Sequence, residues 1–276
     1  MKIVYFGTDV FLSCFEFLLE RHEILALYTY HNEEDYFTEY AVARRARALG
    51  ISVHYEEITP QEIRRYFEEE GCELFFIAEY NRILRLPEGL ERFRGINTHS
   101  SLLPEGRSYY PIEAAMAQGL RRTGVTMHKI TPVLDSGDIL AQRSFEIAPE
   151  MDSVDVYLRC AAHAKEMLEE IFSDFDGAWA KAWKQTGRMP YWKRPAPEGL
   201  TLLHGMTRAQ ALAVFRRANG MTQVELGSRW YYVSALMTGA EPLPQQEQPV
   251  SGGRWLYRVA DGHLRLSVHP IPERRA

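Results

Sequence analysis

Asn97, His99 and Asp135 are the residues of this chain whose types and spacing suggest chemistry. An amide N–H can donate to a developing oxyanion, and an imidazole can move a proton near neutral pH. A carboxylate close by would orient that imidazole and stabilise its charged form. Asn97 and His99 are i and i+2, so on one strand they point to the same face. A plainer assignment has equal weight on residue chemistry alone. Asn-x-His would then be a strand-end capping device, and Asp135 an ordinary turn residue in LDSGD.

A scaffold must bring these side chains together. Residues 2–6 (KIVYF) are a β-rich apolar run, and FGTD turns into the amphipathic VFLSCFEFLLER. EILALYTY is a second strand, residues 38–49 have helical spacing, and ISVHY is a third strand. Thr59-Pro60 opens a helix, with Thr at the cap and Pro at the first position. CELFFIAEY carries the continuous apolar run of a strand covered on both faces, and GINTH is the fifth strand. Strands alternating with helices predict βαβ units, hence an α/β fold with a Rossmann-like, mostly parallel sheet flanked by helices. Such sheets bind ligands at strand carboxyl ends near a topological switch point, and Asn97 and His99 fall at such an end.

Further along, PIEAAMAQGL is a short helix, and TGVTMHKI and DILAQRSFEI are two longer strands. Residues 153–172 form a long helix capped by Ser153, with helix continuing to about residue 185. The Pro-rich stretch 186–199 reads as a linker. Residues 200–276 change character, with one helix and short β-like runs, and predict a small C-terminal α+β or β-barrel-like domain. The expected division is therefore a catalytic domain over 1–185, a linker over 186–199 and a small domain over 200–276.

The 276 residues are 46% hydrophobic and 25% charged, a globular profile. The net charge of −5 argues against a nucleic-acid partner. FGTDVF holds one glycine where a dinucleotide fingerprint needs three, and no P-loop is present. Cys14, Cys72 and Cys160 are odd in number and widely spaced, which predicts buried thiols in a reducing compartment and no metal site. No run approaches the roughly 20 apolar residues of a membrane span, and the first residues read as a strand rather than a signal peptide. The expectation from these missing signals is a cytoplasmic protein with no membrane partner.

Residues 96–142 resemble the catalytic core of the folate-dependent formyltransferases. Asn-x-His, Ser-Leu-Leu-Pro, Gly-Val-Thr and Asp-x-Gly-Asp occur there in the family's order. The resemblance extends to YFGTDVF, to IAEYNRIL and to YWKRPAPEG. It implies an N-formyltransferase that uses N10-formyltetrahydrofolate as formyl donor and an amine as acceptor, with no metal. By matching motif positions, Asn97 and His99 would polarise the formyl carbonyl and donate to the tetrahedral oxyanion, while Asp135 sets His99. His99, or a water held by Asp135, would take the proton from the attacking amine. The pterin would lie against main chain at Asn81, Arg82 and Ile83, and along Thr131, Pro132, Val133 and Leu134 up to Asp135.

The acceptor is argued from smaller signs. In the initiator-tRNA enzymes of this family the loop after the second strand is basic, whereas here HNEEDYFTEY is acidic. The purine-pathway members carry a Gly/Asn-rich phosphate loop that FGTDVF lacks. The resemblance is therefore nearest to the sugar-nucleotide N-formyltransferases. It implies an amino-sugar nucleotide as partner and a role in lipopolysaccharide or O-antigen biosynthesis. Ser108 follows Arg107 where the family usually has Arg-Gly, and Arg107, Tyr109 and Tyr110 are the expected acceptor contacts, whether the rings stack on the substrate or pack the loop. The alternatives are a methionyl-tRNA formyltransferase, an enzyme acting on an ornithine-type or other small amine, and an inactive folate-binding homologue. Apolar and aromatic runs within 200–276 could join two copies in a homodimer.

Overall fold

A computed structural model describes the chain except for residues 32–38, 91–92, 189, 194–196, 218–220, 239–247, 251–252 and 272–276, and the side chains of 197–198 and 248–250. Most of the acidic loop after the second strand, and part of YWKRPAPEG, lie outside the described residues. The chain divides into two compact units. The first comprises Met1–Pro111, Arg122–Glu146 and Tyr157–Trp192; the second comprises Ile112–Arg121, Ile147–Val156 and Lys193–Ala276.

In chain order, the N-terminal elements are β1 (Lys2–Gly7), α1 (Leu12–Arg21), β2 (Glu23–Tyr28), α2 (Ala41–Ala48), β3 (Ser52–His54), α3 (Pro60–Glu68), β4 (Leu74–Ala78) and β5 (Gly95–His99). They continue with α4 (Pro111–Ala117), β6 (Arg122–Lys129), β7 (Ile139–Glu146), α5 (Ser153–Ser173) and α6 (Phe175–Ala180). The seven strands make one sheet in the order β3-β2-β1-β4-β5-β6-β7. β3 through β5 are parallel, and β6 and β7 are antiparallel additions. The order reverses between β1 and β4, which makes that junction the switch point.

The apolar runs bury both faces of this sheet. On one face, Val4, Phe6, Tyr28, Phe75 and Ile77 pack with Ile63, Tyr66 and Phe67 of α3 and with Leu84, Leu86, Leu90 and Ile130. On the other, Tyr5 meets Phe15 of α1 edge-on at 5.0 Å, and Phe17 of α1 meets Phe172 of α5. Fully burying a side chain such as Phe75 contributes about 2–3 kcal/mol. Thr59 caps α3 as expected and closes a reciprocal pair with Glu62. At α5 the expectation of a Ser153 cap is corrected. Ser153 is the first helical residue, and Asp152 exchanges hydrogen bonds with Asp155 at 2.9 and 3.0 Å. The helix predicted to about residue 185 ends earlier, with α6 closing at Ala180.

The FGTD turn has its own structural logic. A Cβ at Gly7 would run into the carbonyl oxygen of Ala78, so glycine is needed for β1 and β4 to approach at the switch point. Asp9 accepts from the backbone N–H of Ala41 and Val42, each at 2.8 Å, and so occupies the N-terminus of α2.

The C-terminal elements are α7 (Arg208–Arg217), β8 (Gln223–Leu226), β9 (Arg229–Thr238), β10 (Gln248–Val250), β11 (Arg254–Val259) and β12 (Gly262–Pro270). Their strands form an antiparallel sheet in the order β10-β11-β12-β9-β8. Ala211, Val214 and Phe215 of α7 pack on Val224, Val233, Tyr257, Leu264 and Leu266. No helix among the described residues is long and apolar enough to cross a membrane.

Candidate active site

β5 delivers Asn97 and His99, as the period-two pattern requires. Asn97 pairs across the ladder with His128 of β6, and His99 with Thr126. After β6 the chain passes through residues 131–138 and turns back at Asp135, which sits in the left-handed region at φ 49°. An Asp tolerates that conformation better than most residues. The turn is tied by Thr131 Oγ1 and Ser136 Oγ, 2.9 Å apart, one hydroxyl donating to the other while the second donates to the Val133 carbonyl, which lies within 2.9 Å of both.

Asn97 Nδ2 donates to Asp135 Oδ1 at 3.2 Å and to His128 Nε2 at 3.1 Å. His128 Nδ1 lies 2.9 Å from the Lys129 carbonyl, which can only accept, so its proton is on Nδ1 and Nε2 is the acceptor for Asn97. His99 Nε2 is fixed in the same way by the Gly106 carbonyl at 2.9 Å. That leaves His99 Nδ1 as its proton-accepting atom, facing Asp135 Oδ2 at 3.8 Å. His99, His128 and Asp135 are all buried.

The electrostatics follow from this packing. Burial lowers the pKa of His99, assisted by His128 and Arg107 and opposed by Asp135 and the Gly106 carbonyl, so the ring is held neutral. Burial alone would raise Asp135, but His99, His128 and Arg107 outweigh it and hold the carboxyl below its usual range. A buried neutral imidazole beside a buried carboxylate is arranged to take a proton at Nδ1 and have the resulting cation stabilised.

The other expected residues divide. Arg107 comes within electrostatic reach of His99 and Asp135, and its Nη2 donates to Gln185 Oε1 at 3.4 Å. Tyr109 is exposed, and its hydroxyl is raised by burial and by Tyr191 and Asp135. Tyr110 is half-buried, with its N–H on Ser108 Oγ, and lies within electrostatic reach of Tyr30. Ile83, Val133 and Leu134 are 49%, 63% and 40% exposed, an unusual display for apolar side chains, while Asn81 is exposed and Arg82 half-exposed. Ile83 and Val133–Leu134 belong to the two stretches expected to face the pterin. Both stretches connect to one apolar cluster through Leu84 and Ile130. Among the described residues no group of acidic, His and Cys side chains could hold a metal ion.

Four contributors were not singled out from the sequence. His128 was visible only as part of a strand, though it shares the period-two face of Thr126. Gln185 lies in an irregular segment 50 residues after Asp135 and carried no signal. Glu79, immediately after β4, has φ 62°, a conformation that costs a non-glycine residue energy and marks the switch point. Thr126, fully buried, donates to the Ser101 carbonyl at 2.6 Å and accepts from the Leu103 N–H and from Gln142 at 3.2 and 2.9 Å. Those bonds shape residues 101–104 after His99. A Thr126→Val variant should lose about 3 kcal/mol, since several buried partners are left unsatisfied. A denaturant midpoint unchanged from wild type would refute that role.

The fold and this constellation place an amide donor beside a buried histidine–carboxylate pair at the carboxyl end of a strand in a mostly parallel α/β sheet. The formyl transferase family model matches residues 31–172. The chain belongs to that family. The methionyl-tRNA formyltransferase of Ehrlichia canis (strain Jake) is 32% identical over 196 residues, covering 64% of this chain and 61% of that protein. The matched segment thus spans about three-fifths of that relative's length. Two solved structures share the fold. One is HypX from Aquifex aeolicus in complex with tetrahydrofolic acid, with TM-score 0.73 and 13% identity over 99% of this chain and 44% of that one. The other is an N-formyltransferase from Helicobacter canadensis in complex with folinic acid and dTDP-3-aminofucose, with TM-score 0.62 and 17% identity over 96% and 98%.

Proposed function

We propose that this protein is a folate-dependent N-formyltransferase whose acceptor is the primary amine of an amino-sugar nucleotide. The observation that carries the formyl-transfer reading is the Asn97–His99–Asp135 constellation, with its histidine and carboxylate buried, inside the family-matched segment. Tetrahydrofolate's N10-formyl form would supply an electrophilic formyl carbon. The exposed Ile83, Val133 and Leu134 suit a flat, largely apolar ring, with main chain at Asn81, Arg82, Thr131 and Pro132 available for its polar edge. Asn97 is placed to donate to developing negative charge by trading one of its two present partners. His99 Nδ1 takes the proton that the attacking amine must lose, and Asp135 stabilises the cation so formed. Arg107 and Tyr109 stand on the acceptor side, as a cation for an anionic group and as an exposed ring.

For the acceptor class, the support is the acidic balance of −5 and the near-full-length likeness to a sugar-nucleotide enzyme. That acceptor would put the reaction ahead of a glycosyl transfer in surface-polysaccharide assembly. The sequence relatives favour a second reading, initiator methionyl-tRNA. The deciding experiment incubates the protein with N10-formyltetrahydrofolate and a panel of amino-sugar nucleotides, and reads formyl addition by mass spectrometry. Turnover of initiator methionyl-tRNA with no turnover of any amino sugar would overturn the sugar reading.

The sign of the pH dependence follows from His99. Only the neutral ring accepts a proton, so rate is lost as pH falls through a pKa held below the usual histidine range. The acid limb of kcat is expected below that range, and one centred at or above it would contradict the assignment of His99 as base.

A further inference from the structure

Asp135 can serve His99 only while its backbone stays in the left-handed region; inside residues 131–136 the Ser136 N–H donates to the Val133 carbonyl at 3.3 Å, but no side chain of that stretch bonds the Asp135 carbonyl. One side chain from outside it does. Gln185 is buried, and its Nε2 donates to the Asp135 carbonyl at 2.9 Å and the Gly137 carbonyl at 2.8 Å. Its Oε1 accepts from Arg107 Nη2 at 3.4 Å. We propose that Gln185 is a positioning residue that holds the Asp135 turn against His99 and couples it to Arg107 on the acceptor side.

The carboxamide suits this task because it offers two donors and an acceptor in one plane. Its own placement is rigid. Trp183 and Ile139 exchange backbone hydrogen bonds at 2.8 and 3.0 Å, which anchors the 183–185 segment to the first residue of β7. A single amide thus spans the returning strand, the acidic turn and the loop after β5. A carboxylate would oppose the two carbonyl oxygens, and a shorter amide would not reach both ends. The left-handed turn is held from outside as well as by the bonds within 131–136.

The inference rests on Asn97, His99 and Asp135 being the reacting centre, but its test needs no substrate. The charged and titratable groups facing His99 are Asp135, His128 and Arg107. In histidine-labelled protein, with His99 assigned by a His99→Gln variant, NMR reads its titration directly. Gln185→Met keeps size and removes all three hydrogen bonds. Freed from its tether, the Asp135 carboxylate withdraws, and the His99 pKa should fall by about half a pH unit or more. Gln185→Asn should move it the same way by less, and decides alone if the methionine variant does not fold. Half-exposed His163 on α5, paired with Glu166, should keep its wild-type NMR signals, which general loosening of the fold would not predict. A His99 titration unchanged in the folded variants overturns the proposal. If the variants show these shifts while the wild-type protein transfers no formyl group to any amine, the functional reading is refuted and the role of Gln185 stands.

Discussion

Asp135→Asn is expected to lower formyl transfer at least a hundredfold while the protein remains folded. The Gly106 carbonyl commits Nε2 of His99 to donating, so any proton removed from the acceptor amine goes to Nδ1. The cation that results is buried, and its nearest stabilising charge is Asp135, 3.8 Å away. An amide at 135 is nearly isosteric but neutral. It withdraws that stabilisation in a poorly screened site, and Asn97 meets a weaker acceptor than a carboxylate. Losing one such interaction costs on the order of 3 kcal/mol of barrier, about two decades in rate. The measurement is kcat beside a melting curve. A variant within threefold of wild type would show that the proton leaves by another route.

Gly137→Ala should have an effect of similar size through a different path. Gly137 lies against the Lys129 carbonyl, where an added methyl collides with backbone and cannot be relieved by a rotamer change. That carbonyl fixes the proton of His128 on Nδ1, and so makes Nε2 the acceptor that orients Asn97. Displacing it disturbs Asn97 from one side, while Gly137's own carbonyl loses register with Gln185 on the other. A misplacement near 1 Å in a positioned group costs about a hundredfold in rate. We expect kcat to fall by roughly that factor with a melting shift smaller than for Thr126→Val. Retention of full activity would mean the loop tolerates displacement and the geometry is less strict than described.

Much of the architecture could be read directly from the chain because its causes are local. Alternation of apolar strands with amphipathic helices is a periodic signal, and the Thr59-Pro60-x-Glu62 start is a cap written in three residue types. The i, i+2 relation of Asn97 and His99 follows from strand geometry alone. Hidden features depend on distant partners. Whether Asn97 and His99 meet an acid depended on a turn 38 residues on, and only the family motif connected them. His128 gained its role from antiparallel register, and Gln185 from a bridge between Trp183 and Ile139. The α5 cap was missed by one residue because Asp152 and Ser153 are both good caps, and reciprocal bonding with Asp155 decides between them.

Asp9 has a consequence for the N-terminal end of α2. At many α/β switch points the free end of a helix greets a phosphate; here a carboxylate from the first loop is already seated on the amides of Ala41 and Val42. The chain supplies its own counterion. An anion reaching the N-terminus of α2 would meet a carboxylate already bonded to its first amides, and the chain's first loop is thereby tied to residues 41 and 42.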